Sequence, residues 1–371
     1  MKILYLMTEP FGIGGVQSDL LALSEDLTGR GHEVHVATTP GVLLKELIAR
    51  GAIFHEIDFH VSGLLGLVGA TRALRRLISA HDFDVVAPQS VRSSLVAKAA
   101  LTGRGRRPPI VTTIHNIHSP RHFSYVGRIL DLCSDFVVFE SHYERDRVVA
   151  GGLPSTKTLI IHSGIDAERF FWRPADEELC QRYGIDPLVH RTFGIVARLS
   201  EEKGHHFLFE AFSRLVKEHS TCRLLVVGEG PLRAELEDHA RRLGLDQHLI
   251  FTGSQRDVPR HLSLIETFVL SSSRESFPLA AREAMAARKA VVAPRIGGVP
   301  EVVVHDETGY LFESGNVADL LGCLRSMLAD GVTERFGKAG LNRCLERFSR
   351  KVWIDGNEQV YREWSEYGKT V

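Results

Sequence analysis

Cysteine is scarce and scattered. The five, Cys133, Cys180, Cys222, Cys323 and Cys344, form no CxxC pair. That excludes a disulfide framework or a cysteine-type zinc site and suits a reducing compartment. Net charge is almost absent, at −1 from 45 basic and 46 acidic residues, so the chain as a whole has no nucleic-acid signature. Long apolar runs are missing too. No stretch approaches the roughly 20 residues that span a bilayer. Residues 61–70 come nearest, and Arg72, Arg75 and Arg76 follow them. The amino-terminal MKILYLM reaches Thr8-Glu9-Pro10 after about five apolar residues, short of the roughly 7–15 of a signal-peptide core. The expected location is the cytoplasm. Low-complexity tracts and short-period repeats are absent as well.

What is present is a chain of 371 residues, too long for one ordinary core. Short β-branched or leucine-rich runs alternate with longer helical patterns. Strands are expected at 3–7, 34–37, 85–88, 110–114, 136–139 and 158–161, then at 193–197, 223–227, 249–252, 268–271 and 291–293. Helices of apolar spacing three and four lie between them, as at 16–27, 206–218 and 232–243. Near-continuously apolar strands alternating with helices imply parallel sheets covered on both faces. The expected fold class is α/β, with two Rossmann-like, doubly wound parallel-sheet domains. The turn-rich, charged stretch 163–174 marks the break, which gives domains 1–165 and 166–348. The last helix, 349–371, carries Trp353, Val360, Tyr361 and Trp364 on a polar background and needs a surface to lie on.

Four motifs offer chemistry. ESFPLAARE places Glu275 and Glu283 eight positions apart, in a loop beyond a strand end and on the helix it opens. Ligands of open parallel sheets bind beyond the carboxyl ends of the strands. One glutamate can accept from sugar hydroxyls and the other from a ribose, and the plain alternative is two solvated acids near a helix start. ARLSEEKG sets Arg198 and Lys203 in a loop after another strand. Fixed positive charge there can stabilise a leaving diphosphate, although a mixed-charge surface loop has the same composition. FGIGGVQ brings Gly12, Gly14 and Gly15 to a helix start that favours anions, without matching the dinucleotide fingerprint. His115, in TTIHN, ends a strand on the same kind of rim, where a structural histidine is the default. Gly228 and Gly230 of VGEGPLR, and Gly297-Gly298 before Glu301, add flexible strand ends. Asp82-Phe83-Asp84 resembles a metal-holding pair but precedes its strand. His115 with His118, and His205 with His206, lack ligand geometry, so no metal ligand is expected.

Taken in order, GGVQ, TTIHN, HSGID, ARLSEEKG, VGEGPLR, FTGSQRDVP, ESFPLAAREAMA, GGVPEVV and ETGYLF resemble the GT-B glycosyltransferases of family 4, over nearly the whole chain. The resemblance implies two domains facing a cleft, with helix 349–371 crossing back onto the first. It implies a retaining hexosyl transfer from a nucleotide diphosphate sugar to an acceptor hydroxyl, with no cofactor and no catalytic metal. Arg198 and Lys203 would grip the diphosphate, Glu275 the transferred sugar and Glu283 the ribose. Gly15, with Gly14 beside it, would offer a backbone amide to the distal phosphate, and His115 would contact the sugar near the reacting centre. Gly228 and the amides of Phe277 and Leu279 complete the donor site. Pro278 departs from the family's usual glycine and removes one donor. The turn Arg288-Lys289-Ala290 lacks the usual glycine, and Ser163 stands for asparagine at the hinge.

A UDP-sugar is the favoured donor and a GDP-sugar the alternative. The acceptor is expected to be a carbohydrate or lipid-linked, in cell-surface polysaccharide or glycolipid synthesis. Residues 61–128 hold ten basic and two acidic residues, including Arg104, Arg106 and Arg107. That surplus suits an anionic acceptor or the anionic inner face of the membrane, or is a solvated face. An epimerase or hydrolase on the same fold, or a non-catalytic sugar-nucleotide binding protein, are the rival readings.

Overall fold

The computed structural model describes residues 1–12, 14–60, 63–115, 117 and 123–370. It divides into two compact units, Met1–Gly164 with Lys351–Val371, and Ile165–Arg350.

The first unit contains β1 (Lys2–Leu6), β2 (Glu33–Thr38), β3 (Ile53–Glu56), β4 (Val85–Pro88), β5 (Val111–Ile114), β6 (Phe136–Phe139) and β7 (Thr158–Ile160). They form a four-stranded sheet in the order β3-β2-β1-β4 and a three-stranded sheet β5-β6-β7. A parallel bridge from Val86 to Ile110 joins β4 to β5. Every pairing is parallel. The second unit has β8 (Arg191–Val196), β9 (Cys222–Val227), β10 (Leu249–Gly253), β11 (Thr267–Val269), β12 (Ala290–Pro294) and β13 (Gly309–Phe312). Their order is β10-β9-β8-β11-β12-β13, again all parallel.

Each sheet therefore grows outward from its first strand, then returns to that strand's other side. This is the doubly wound order. Helix Gly15–Gly29, after β1, buries Leu20, Leu23 and Leu27 on one face of the first sheet. Helix Val91–Leu101, after β4, buries Val96, Ala97 and Ala100 on the other. In the second unit, helix His205–Glu218 packs Leu208, Phe209 and Phe212 on one face, and helix Leu279–Ala286 packs Ala281, Ala284 and Met285 on the opposite one. With both faces covered, β4 and β12 are buried along their whole length, which is why they read as unbroken apolar runs.

Two strands escape the apolar-run criterion. β3, sequence IFHE, pairs only with β2 at a sheet edge and has Ile53 exposed, so no alternation or run marks it. β13, sequence GYLF, is the opposite edge of the second sheet and begins with glycine. The turn after helix Leu279–Ala286 also stands out. Arg288 holds a left-handed φ of 60°, a conformation that glycine takes without steric cost.

Helix Arg350–Thr370 belongs to the first unit's core. Trp353, Ile354, Val360 and Tyr361 pack with Ile3, Tyr5, Val34 and Val36. Tyr361 meets Tyr5 edge to face at 6.1 Å, and Trp364 lies 5.2 Å from Phe136. Arg30 pairs with Asp355 at 2.8 Å and Glu358 at 2.6 Å. Hydrogen bonds from Arg30 and Arg362 bring the Glu358 pKa down to about 2.

Trp353→Ala removes a buried indole from this core and should cost roughly 3–5 kcal/mol. Calorimetry should show the first unit's transition moving to lower temperature while the second unit's stays in place.

Candidate active site

In the second unit the strand order reverses between β8 and β11, and the loops leaving these neighbours meet at their carboxyl ends. After β8 come Arg198, which is exposed, and a short turn Glu201–Lys203. Gly204 ends that turn at φ 63°, and a Cβ there would lie 2.1 Å from the Ser271 carbonyl oxygen. Only glycine lets the two loops approach so closely. They are also stitched together. The Ser271 hydroxyl donates to the Lys203 carbonyl at 2.8 Å, and the Ser273 amide donates to the Glu202 carbonyl at 2.8 Å.

Across this seam Lys203 Nζ donates to Glu275 Oε1 at 2.7 Å. The Ser272 hydroxyl donates to the same oxygen at 2.7 Å. The Glu275 side chain is 12% exposed and that of Lys203 26%, so the pair is half-sheltered yet reachable. Glu202 turns to the Ser200 hydroxyl at 2.6 Å, which lowers its pKa. Sequence places Lys203 and Glu275 in separate motifs. The fold makes them partners.

Behind the pair, Pro278 occupies the N-cap of helix Leu279–Ala286 rather than its first turn. Leu279 opens the helix, so its amide has no intrahelical acceptor, while Phe277 is buried beneath. Glu283 stands half-buried one turn into this helix. Gly297 takes φ 51° with a would-be Cβ 1.7 Å from the Glu275 carbonyl oxygen, so the 297–298 loop packs directly on the Glu275 backbone. Gly228 sits at the end of β9, and its amide donates to Gly253 at 3.0 Å. Its use to a ligand is thus space rather than a free donor.

The sequence motifs gave no role to Ser272 or Arg282. Arg282 is 2% exposed, with its guanidinium 4.4 Å above the Phe277 ring. An arginine beside a functional glutamate reads as surface charge until the helix face is known.

The first unit assembles its own rim. Gly14 caps helix Gly15–Gly29, and a Cβ at Gly15 would meet nothing within 4 Å. Across the switch between β1 and β4, the Thr8 and Ser90 hydroxyls hydrogen-bond at 2.6 Å. His115 follows β5, with Gln89 after β4 and Glu140 after β6. His115 Nδ1 lies 2.9 Å from Glu140 Oε1, and Nε2 lies 2.9 Å from Gln89 Oε1. The Gln89 amide orientation is set by its NH₂ donating to the Ala87 carbonyl at 3.0 Å. Both ring nitrogens therefore face acceptors, the arrangement of an imidazolium. Burial opposes that charge most strongly. The Glu140 carboxylate, by charge and hydrogen bond, and Asp19 outweigh it, so the His115 pKa is raised.

The remaining sequence features sort by position. Asp84 accepts from the Lys2 amide at 2.8 Å, at the amino end of β1 and away from either rim. His206 pairs with Glu235 at 3.0 Å, and His205 is buried. Asn116 and His118 lie outside the described residues.

Fixed cations and carboxylates thus share one switch-point rim on a two-unit Rossmann-like fold. Residues 188–343 match the family model described as Glycosyl transferases group 1, and residues 13–169 match Glycosyltransferase Family 4. The chain belongs to the family 4, group 1 glycosyltransferases. It is 25% identical over 355 residues to the N-acetyl-alpha-D-glucosaminyl L-malate synthase of Bacillus anthracis, covering 91% of each chain. It is 28% identical over 340 residues to a GDP-mannose-dependent alpha-(1-6)-phosphatidylinositol monomannoside mannosyltransferase of Mycobacterium tuberculosis, covering 85% of this chain and 86% of that one. A glycosyltransferase structure from Rickettsia africae superposes with a TM-score of 0.85 at 20% identity, covering 98% of both chains. Anabaena HepE, in complex with UDP and glucose, gives 0.82 at 22% identity, covering 97% of this chain and 99% of that one. The fold is thus GT-B.

The state of His115 has a consequence for stability. A raised folded pKa gives a contribution that is complete below the unfolded value near 6.5. It is lost as pH rises through the folded value. Glu140→Gln removes the compensating charge, so the stability gap between wild type and variant should widen as pH falls toward 6, read by denaturant titration at each pH. A gap that ignores pH would show that His115 is neutral.

Proposed function

We propose that the protein is a retaining, metal-independent hexosyltransferase that takes a UDP-sugar, with GDP-sugar as the alternative donor. The observation that carries this reading is the Lys203–Glu275 pair at the β8/β11 switch point, with Arg198 exposed on the same loop. In the resting site Glu275 holds the Lys203 ammonium in place. A donor diphosphate takes over that cation together with Arg198, which frees Glu275 to accept from hydroxyls of the transferred sugar. Glu283, deeper on the helix, accepts from the ribose, and the amides of Phe277 and Leu279 supply neutral donors. As the bond from the anomeric carbon to the phosphate oxygen breaks, charge builds on the diphosphate. Lys203 and Arg198 stabilise it there. The acceptor oxygen bonds to the anomeric carbon on the face that the phosphate leaves, and its proton passes to the departing phosphate oxygen. On the first unit's rim, Gly15 leaves its helix start open, and His115 has both ring nitrogens committed to Glu140 and Gln89.

Arg198→Ala and Lys203→Ala should each lower transfer about 10²–10³-fold, assayed in chelator with the anomeric configuration of the product read by NMR. Retention of more than half the rate in either variant would overturn the clamp. Inversion, or a demand for magnesium or manganese, would overturn the mechanism. Glu283→Ala should weaken free UDP as well as the UDP-sugar in calorimetric titration. Glu275→Ala should spare free UDP.

For the acceptor we propose a lipid-linked or anionic carbohydrate, reached at an anionic membrane surface. On helix Gly63–Ala80, Arg72, Arg75 and Arg76 are exposed, and Leu65 is 89% exposed. Arg107 drops out of the basic group, because both its amino nitrogens bind Asp135, at 2.6 and 2.7 Å. Among the described residues no helix is long and apolar enough to cross a membrane. Each exposed arginine near an anionic surface contributes about 1 kcal/mol. Replacing Arg72, Arg75 and Arg76 with glutamine should therefore abolish salt-sensitive binding to phosphatidylserine vesicles and leave UDP affinity unchanged. Equal sedimentation with anionic and neutral vesicles would remove the membrane from the proposal.

A further inference from the structure

Away from both strand-end rims, three histidines from separate segments of the first unit share one spot. His35 lies within β2 and is fully buried, His55 lies on the neighbouring edge strand β3, and His81 lies just before β4. One ring nitrogen from each falls within 4.8 Å of the other two. The spacings of 20 and 26 residues between them make the group invisible to any local motif.

The hydrogen bonds fix the tautomers. His35 Nε2 lies 2.8 Å from Glu33 Oε1, so it carries the proton and donates it. That leaves the Nδ1 lone pair of His35 aimed inward, where His55 Nε2 lies 2.8 Å away. The two rings are coplanar within 3° and their centroids are 5.1 Å apart, so these nitrogens meet head-on with one proton between them. His81 approaches from the side, its ring inclined 63° to both and 5.0 Å from His35. Among the described residues His81 forms no hydrogen bond. Three imidazoles thus converge while a single proton serves only two.

We infer that His35, His55 and His81 form a binding site for a zinc-class divalent cation, which enters between His35 Nδ1 and His55 Nε2 as the His55 proton moves to that ring's Nδ1. Zinc held at about 2.0–2.1 Å by each nitrogen takes the tetrahedral arrangement of a three-histidine site, with the fourth position open to water. The head-on pair must bend apart and His81 must draw in. His55, on an edge strand, and His81, in a turn, are both only partly buried. Glu33 plays the part of the carboxylate that orients a metal-bound histidine from its far nitrogen. His81 also lines a pocket of about 330 Å³ with Asp82, Asp84, Arg104 and Arg106. With His35 on β2, His55 on β3 and His81 just before β4, the ion ties these three segments together.

The test uses the full chain, stripped of metal and titrated with cobalt(II) and with zinc. The site predicts one saturable equivalent, the intense visible bands of four-coordinate cobalt, displacement of cobalt by zinc, and a zinc-dependent rise in the first unit's melting temperature. His81→Gln, which breaks no hydrogen bond in the metal-free fold, should abolish the bands and the stoichiometric binding. Glu33→Gln should weaken zinc about 10–100-fold. Absence of a saturable equivalent in the wild-type chain, or binding undiminished in His81→Gln, overturns the site. Neither outcome depends on glycosyl transfer.

Discussion

At β8 and β11 two neighbouring parallel strands send their helices to opposite faces of one sheet, and the loops that leave them meet at the strands' carboxyl ends. Doubly wound sheets bind their ligands at such a point, in the crevice outside the carboxyl ends of the strands. The chemistry of the second unit depends on this constraint. It places Lys203 and Glu275, 72 residues apart in sequence, within a 2.7 Å hydrogen bond.

The crevice is held to a defined width by backbone contact rather than by bulky side chains. Gly204 lies against Ser271, and Gly297 lies against Glu275, at distances no Cβ would tolerate. Hydroxyls of Ser271 and Ser272 then fix the Lys203 carbonyl and the Glu275 carboxylate. These contacts fix the backbone on both sides of the Lys203–Glu275 pair. The first unit repeats the scheme with different chemistry. Three adjacent strand ends present Gln89, His115 and Glu140, and two acceptors face the two ring nitrogens of one histidine.

The same alternation that builds the sheets also hides things from a linear reading. Helix Arg350–Thr370 follows the second unit in sequence yet completes the first unit's core, where Tyr361 meets Tyr5. Its aromatic stripe announces a need for burial, and only packing says against what. The buried Arg282, the committed Arg107 and the three-histidine cluster are alike in this respect. Each looks like ordinary surface composition until distant strands are brought side by side.

By itself the sequence determined the α/β class and the two doubly wound units. Strand-helix alternation and continuous apolar strands are local consequences of burying a parallel sheet on both faces. Edge strand β3 was not legible, because it has little to bury and carries no apolar run, and β13 was not because, although mostly buried, it is only four residues long and opens on glycine. Arg198, Lys203, Glu275, Glu283 and His115 were legible as motif residues at strand ends. Their partners were not. That Lys203 is neutralised by Glu275, that His115 is gripped by Gln89 and Glu140, and that Gly228 spends its amide on Gly253 are decided by which strands lie side by side. Strand order is set by long-range packing of helices onto the two sheet faces, and no window of neighbouring residues contains it.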